Sequence, residues 1–165
     1  MDAWLKSQSP AQSLDPLPER IWQIPVCYST ERGRDLEAIA KQKNFTQEEL
    51  IDRHSQTLYR LHFYGFLPGF MYLNGLPEEL HTARKPIPDR AVPAGSIAIG
   101  GAQTGIYPCS SPGGWHLIDQ TPVSFFEPQQ DIPVFGVSGE RIQFKPITNQ
   151  EFDRLKRHPQ KPKFR

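Results

Sequence analysis

AVPAGSIAIGGAQTGIYPCSSPGGWHLI, residues 91–118, runs for 28 residues without an Asp, Glu, Lys or Arg. A membrane-spanning helix needs about 20 predominantly apolar residues, and Gly, Pro, Ser and Gln interrupt this stretch throughout. Short β-type runs between tight turns fit it better, with strands expected near 96–99 and 115–118. Its polar side chains are neutral: Ser96, Gln103, Thr104, Tyr107, Ser110, Ser111 and His116. Such groups recognise by hydrogen bonding and shape. They supply no carboxylate for an active site.

Working outward, residues 65–122 hold nine of the twelve glycines and eight of the 17 prolines. Proline is well above its usual ~5%, which disfavours a helical bundle. Residues 58–64 alternate, with Tyr59, Leu61 and Phe63 on one face and Arg60 and His62 on the other, as a half-buried strand does. Further strands are expected at 21–28, with Pro25 at an edge or bulge, and at 123–126 and 141–146. Leu36, Ile39 and Ala40 form one helical stripe. Thr46 and Glu49 make a capping box for a helix over 47–55. Thr148 and Glu151 suggest a second box, opening a terminal helix with Phe152 and Leu155 inward. The pattern is mainly β, with two or three short helices, and argues a closed β-barrel or a sandwich.

The length of 165 residues suits one domain. Residues 1–20 read as a leader or the remnant of an upstream domain junction, 21–157 as the folded domain, and 158–165 as a solvated, frayed basic tail. With 19 basic and 18 acidic residues, nothing points to nucleic acid or a membrane as partner. The two helices at 36–55 could suggest a DNA-binding pair, but Glu48, Glu49 and Asp52 would repel phosphates. Two separated cysteines, Cys27 and Cys109, and no apolar leader run predict a reduced, cytoplasmic protein.

Several loops carry candidate chemistry. In GFLPGFMYLNGL, residues 65–76, the aromatic Phe66, Phe70 and Tyr72 are spaced by glycines and Pro68, and predict the wall of a groove for a flat ligand. Filling the end of the barrel is the plainer role for the same rings. Arg84, Lys85 and Arg90 form a cationic approach to the uncharged stretch. Arg84 is the candidate for a carboxylate or phosphate, while Lys85 and Arg90 read equally well as ordinary surface charge. Gln103 offers an amide to a lactam edge. SSPGGW, residues 110–115, resembles a backbone nest, so Ser111, Gly113 and Gly114 are candidate donors to an oxyanion. Tyr107 and Trp115 would add apolar walls. A serine hydrolase is disfavoured because no acid accompanies Ser111 and His116. The His and Cys positions show no metal-ligand spacing, and no catalytic residue is assigned.

Together, GFLPGFMYLNGL, VPAGSIAIGGAQTGIYP, SPGGWHLIDQTP, IPVCYSTERGRDLEAIA and SGERIQFKPIT resemble the allophanate hydrolase subunit 1 family. That family includes one of the subunits of the bacterial ATP-dependent 5-oxoprolinase and an inhibitor of a sporulation histidine kinase. The resemblance spans about residues 24–155 and implies a cyclophilin-like closed β-barrel, matching the C-terminal domain of family members. It implies a subunit of a complex that opens 5-oxo-L-proline to L-glutamate, with ATP bound by the complex and no metal ligand set in this chain. A larger homologous barrel subunit and a lactam-utilisation subunit would be the partners. The alternatives it leaves open are a protein-binding inhibitor of a sensor histidine kinase and an allophanate or urea-amidolyase-type subunit. Asp89 stands where the family commonly has arginine, Ala83 where it has proline, Asp119 where it has glycine, and Glu140 where it has aspartate.

Overall fold

Strand β1 (Ile21–Val26) is buried at every second residue, Trp22, Ile24 and Val26. It runs parallel to β9 (Arg141–Pro146) along its whole length, Ile21 opposite Arg141 and Val26 opposite Pro146. The structure is a computed structural model that describes residues 20–165. The leader expected over residues 1–20 therefore lies, apart from Arg20, outside the described residues.

The other elements are β2 (Leu58–Tyr64), β3 (Met71–Asn74), β4 (Asp89–Val92), β5 (Ser96–Gly100), β6 (Gln103–Ile106), β7 (Ser111–Gly113), β8 (His116–Gln120) and β10 (Lys163–Phe164). Among the described residues the helices are α1 (Leu36–Gln42), α2 (Gln47–Gln56) and α3 (Asn149–Arg157), with one 3-10 turn at Glu78–Leu80. Eight strands form one mixed sheet in the order β10-β1-β9-β2-β3-β6-β5-β8, and β4 pairs with β7 as a separate ribbon. The sheet is not closed by a ladder. Its last strand, β8, meets β1 at one bridge, where Cys27 N–H donates to Gln120 O at 2.9 Å. No helix among the described residues is long and apolar enough to cross a membrane.

The main core lies between the sheet and the helices. Ile24, Leu61, Leu73, Ile97, Ile142 and Phe144 from the strands meet Leu36 and Ile39 of α1 and Leu50 of α2. Each such side chain contributes roughly 1.5–3 kcal/mol by leaving water. The Thr46–Glu49 capping box is complete, with Glu49 N–H donating to Thr46 Oγ1 at 3.1 Å and Thr46 N–H to Glu49 Oε2 at 2.7 Å.

Several expectations are corrected. Phe63 does not share the buried face of Tyr59 and Leu61. The β2–β3 register shifts between Leu61 and Phe63, and this bulge turns Phe63 outward. Residues 123–126 form a loop rather than a strand; Val123 N–H turns back to Thr121 Oγ1 at 3.2 Å. At Thr148 only half of the second box forms, because Glu151 pairs with Arg154 instead. Leu155 is half-buried. The tail is not frayed throughout: β10 pairs antiparallel with Trp22 and Gln23, and Ile21 and Arg165 exchange hydrogen bonds of 3.0 and 3.2 Å. Pro25 lies beyond that short pairing, where a missing N–H costs the sheet nothing.

Candidate functional site

The loop between β2 and β3 is shaped by a tight turn. Phe70 N–H donates to Leu67 O at 3.0 Å, Pro68 takes the second position and Gly69 the third, at φ +82°. That geometry requires a positive φ at the third residue, hence glycine. Phe66 also has a positive φ of 65° although it is bulky, and it is 61% exposed. Holding it there costs about 1–2 kcal/mol.

This loop and the β4–β7 ribbon face each other across a cavity of about 490 Å³. One side is aromatic. Phe70 packs edge-on against Tyr107 at 4.9 Å and Trp115 at 5.6 Å, and Tyr72 meets Trp115 at 5.6 Å. Phe66 stands edge-on to Phe70 at the mouth, 5.6 Å away. Edge-to-face contacts of this kind fix ring orientations. The indole of Trp115 is seated on glycines: a Cβ would fall 2.4 Å from the ring at Gly100 and 2.9 Å from it at Gly105, while one at Gly113 would fall 2.3 Å from the Tyr107 hydroxyl. Burial raises the Tyr107 phenol above its ordinary pKa, and the Trp115 backbone hydrogen bond only partly offsets this.

The other side carries charge. The Arg84 guanidinium lies over the Trp115 ring, 5.6 Å from its centroid. Arg84 is exposed and has no ion pair or hydrogen bond among the described residues. Lys85 is the opposite case. Its Nζ lies 2.6 Å from Asp35 Oδ2 and 2.7 Å from Asp89 Oδ2, and Arg34 reaches the same Asp89 oxygen at 2.5 Å. Burial raises the Asp89 pKa, but the Lys85 and Arg34 hydrogen bonds outweigh it and hold the carboxyl below its usual range. Asp35 Oδ2 also accepts from Leu117 N–H at 2.8 Å. The four charges thus tie the ribbon to the start of α1 and to β8. Of the two cations lining the cavity, only Arg84 is free to meet an anion.

The cavity is lined by Arg84, Tyr107, Ser111, Gly113, Gly114 and Trp115, and by Phe66, Phe70 and Tyr72. Two expected residues do not line it. Gln103 sits at the far end of β6, where its Nε2 donates to Asn74 Oδ1 at 2.9 Å. Pro68 is exposed on the outer side of its turn. The expected nest is also corrected. Residues 111–113 form strand β7, whose extended backbone turns successive N–H groups to opposite sides, and Pro112 has none to offer. Ser111 Oγ donates to Pro112 O and His116 Nε2 meets Ala83 O, so neither engages the other. Sequence reasoning misses the roles of Asp35 and Asp89 and the part-buried pairing of Lys85. Asp35 lies fifty positions from its lysine, and only an acid four residues after that lysine hints at the cluster. No cluster of three or more His, Cys, Asp or Glu with metal-binding geometry occurs among the described residues.

A second polar group of residues lies in the core. Tyr28 OH meets His54 Nδ1 at 2.9 Å, His54 Nε2 meets Thr104 Oγ1 at 3.1 Å, and Thr104 donates to Ala98 O at 3.0 Å. Since Thr104 spends its proton on Ala98, His54 donates from Nε2 and accepts the Tyr28 proton at Nδ1. Burial lowers the His54 pKa to about 3, so the ring is neutral. Asp119 is fully buried nearby, and neither of its oxygens has a hydrogen-bond partner among the described residues. Burial pushes its carboxyl well above the usual range; Tyr28, which would pull the other way, is engaged by His54.

Known proteins resemble this chain in sequence and in fold. The family description "carboxyltransferase domain, subdomain C and D" matches residues 1–135. A 5-oxoprolinase subunit of Haemophilus influenzae is 50% identical over 122 residues, which cover 74% of this chain and 57% of that protein. The crystal structure of a conserved uncharacterized protein from Pyrococcus horikoshii is 42% identical with a TM-score of 0.77, covering 80% of this chain and 61% of that one. The Kluyveromyces lactis urea amidolyase, 15% identical with a TM-score of 0.76 over 89% of this chain and 11% of that one, shares the fold alone. The chain spans 57% of the length of the Haemophilus relative it matches.

Proposed function

The chain belongs to the family of the carboxyltransferase domain, subdomain C and D, and on that premise we propose that it serves as a 5-oxoprolinase subunit whose aromatic cavity forms one wall of a lactam-binding site. The similarity to three bacterial proteins named as 5-oxoprolinase subunits supports this reading. In the reaction, the lactam oxygen of 5-oxo-L-proline takes the terminal phosphoryl group of ATP and ADP leaves; water then adds to the activated carbon, the ring C–N bond breaks with the nitrogen taking up a proton, and inorganic phosphate departs to leave L-glutamate. The observation that carries the proposal is Arg84: an unpaired guanidinium over an indole, at the rim of a cavity walled by Phe70, Tyr72 and Tyr107. Such a site suits a small ring bearing one carboxylate. Among the described residues, no Asp or Glu lines the cavity. The general base therefore comes from a partner, either the larger homologous barrel subunit or the lactam-utilisation subunit. ATP is bound by the assembled complex, in the cytoplasm. The open mixed sheet is read as a cyclophilin-like barrel, a reading supported by the single Cys27–Gln120 bridge that draws β8 towards the end of β1.

The test is calorimetric titration of the reconstituted complex with 5-oxoproline, using wild type and Arg84→Ala. Affinity should fall by roughly tenfold or more, as loss of a charge-assisted contact implies. The isolated chain should release no ADP. Unchanged affinity in the variant, or substrate-dependent ADP release from the pure chain, would overturn the proposal. A second reading, a protein-docking inhibitor of a sensor kinase, draws on the exposed Phe63 and Phe66 beside the cavity. Capture of a kinase dimerisation domain rather than a barrel subunit would favour it.

A further inference from the structure

The sheet is left open between the end of β8 and the two-residue β10, and a cleft of about 270 Å³ lies in that opening. Its floor is apolar, with Pro25, Val123, Ile147 and Leu155. Its rim carries four cations, Lys145, Arg154, Lys161 and Lys163, against one carboxylate, Glu151. Glu151 is engaged by Arg154 at 3.5 Å. The side chains of the three lysines have no ion pair or hydrogen bond among the described residues. Cations gathered around one hollow repel one another unless an anion joins them.

We propose that this cleft binds a small phosphate-bearing polyanion, at a site sharing no residue with the aromatic cavity. Three observations select that ligand class. The cations are mostly lysines, compact point charges that suit phosphate and not the planar fork a single carboxylate prefers. Their number calls for an anion of more than one charge. An acidic peptide strand is a poor fit, because of the two β1 residues lining the cleft Gln23 is already paired with Lys163 of β10 and Pro25 has no N–H to offer. The amides of Gln23 and Gln160 line the same cleft and can donate to oxygens that the lysines leave over. The ligand class of the cleft is independent of what the aromatic cavity binds.

The test is isothermal titration of the full chain with pyrophosphate and, at matched ionic strength, with citrate. Three proteins are compared: wild type, Lys145→Gln/Lys161→Gln, and Lys41→Gln as an exposed lysine elsewhere. Pyrophosphate should bind saturably at one site and more tightly than citrate. The double variant should bind it about tenfold more weakly per lysine removed, and Lys41→Gln should match wild type. Absence of saturable pyrophosphate binding, citrate binding as tightly, or equal affinity in all three proteins would each overturn the proposal. Because the lysines are surface groups, the variants should melt with wild type, so lost binding will not be lost folding.

Discussion

The indole of Trp115 occupies the space that a side chain on Gly100 would need, its ring atoms 2.4–2.5 Å from where a Cβ would stand. The glycine of the β5–β6 corner is thus half of a packing pair whose other half is the floor of the candidate site. Gly100→Ala should cost about 1–3 kcal/mol, the usual range for overpacking a filled core. Urea unfolding measures this, and the intrinsic fluorescence of Trp115 should shift in the folded variant because the ring itself must move.

Arg84 and Lys85 are adjacent cations with opposite expected phenotypes. Arg84→Ala should leave stability within about 0.5 kcal/mol of wild type, since the side chain is exposed and unpaired, while ligand affinity falls. Lys85→Met should instead destabilise by about 1–3 kcal/mol, because Asp35 and Asp89 lose a shared partner within a part-buried cluster. Equal loss of stability in both variants would contradict the division of labour between them.

Asp119 should make stability depend on pH in one direction. Its folded pKa is raised, so its contribution is fully present below the unfolded value near 3.8 and is lost as pH rises towards the folded value. Asp119→Asn should therefore gain on wild type as pH rises from 4 to 7, read as a widening gap between their melting temperatures. A constant gap across that range would show that the carboxyl ionises freely in the folded protein.

His54 should act at the acid end. Its folded pKa is depressed to about 3 from an ordinary 6.5. Below pH 6.5 the unfolded chain takes up a proton that the buried ring refuses, and stability falls as pH drops towards 3. The ring also stacks on Phe144 at 4.8 Å and joins the Tyr28 and Thr104 hydroxyls, so its protonation breaks a core contact. An NMR titration should find the His54 ring neutral at pH 5; a folded-state midpoint near 6.5 would refute the assignment.

The parts of this molecule that are legible in the sequence are those in which one local rule acts alone. Thr46 and Glu49 satisfy each other within one turn, and the Leu36, Ile39, Ala40 stripe needs only the helical period. The aromatic wall is legible because Phe66 and Phe70 come from one loop that glycine and proline force into a turn, and Tyr72 from the start of the strand that follows it. Phe63 escapes a reading by alternation because a bulge shifts the register without any Gly or Pro to mark it. Strands β3, β6 and β7 are only three or four residues long and hold their places through their partners, so period alone cannot find them. Gln103 has the chemistry for a lactam but belongs to the wrong end of its strand. The charge cluster of Arg34, Asp35, Lys85 and Asp89 exists only once the ribbon folds onto α1.

Ile21 and Arg165 hold each other through reciprocal backbone hydrogen bonds, so the start of β1 and residue 165 lie side by side. A short linker could join them without disturbing any ladder. The chain could then be reopened within residues 128–131, which are exposed and belong to no strand. The fold is in this respect a ring whose order of synthesis is arbitrary, and a circular permutant cut there should keep both the aromatic cavity and the cationic cleft.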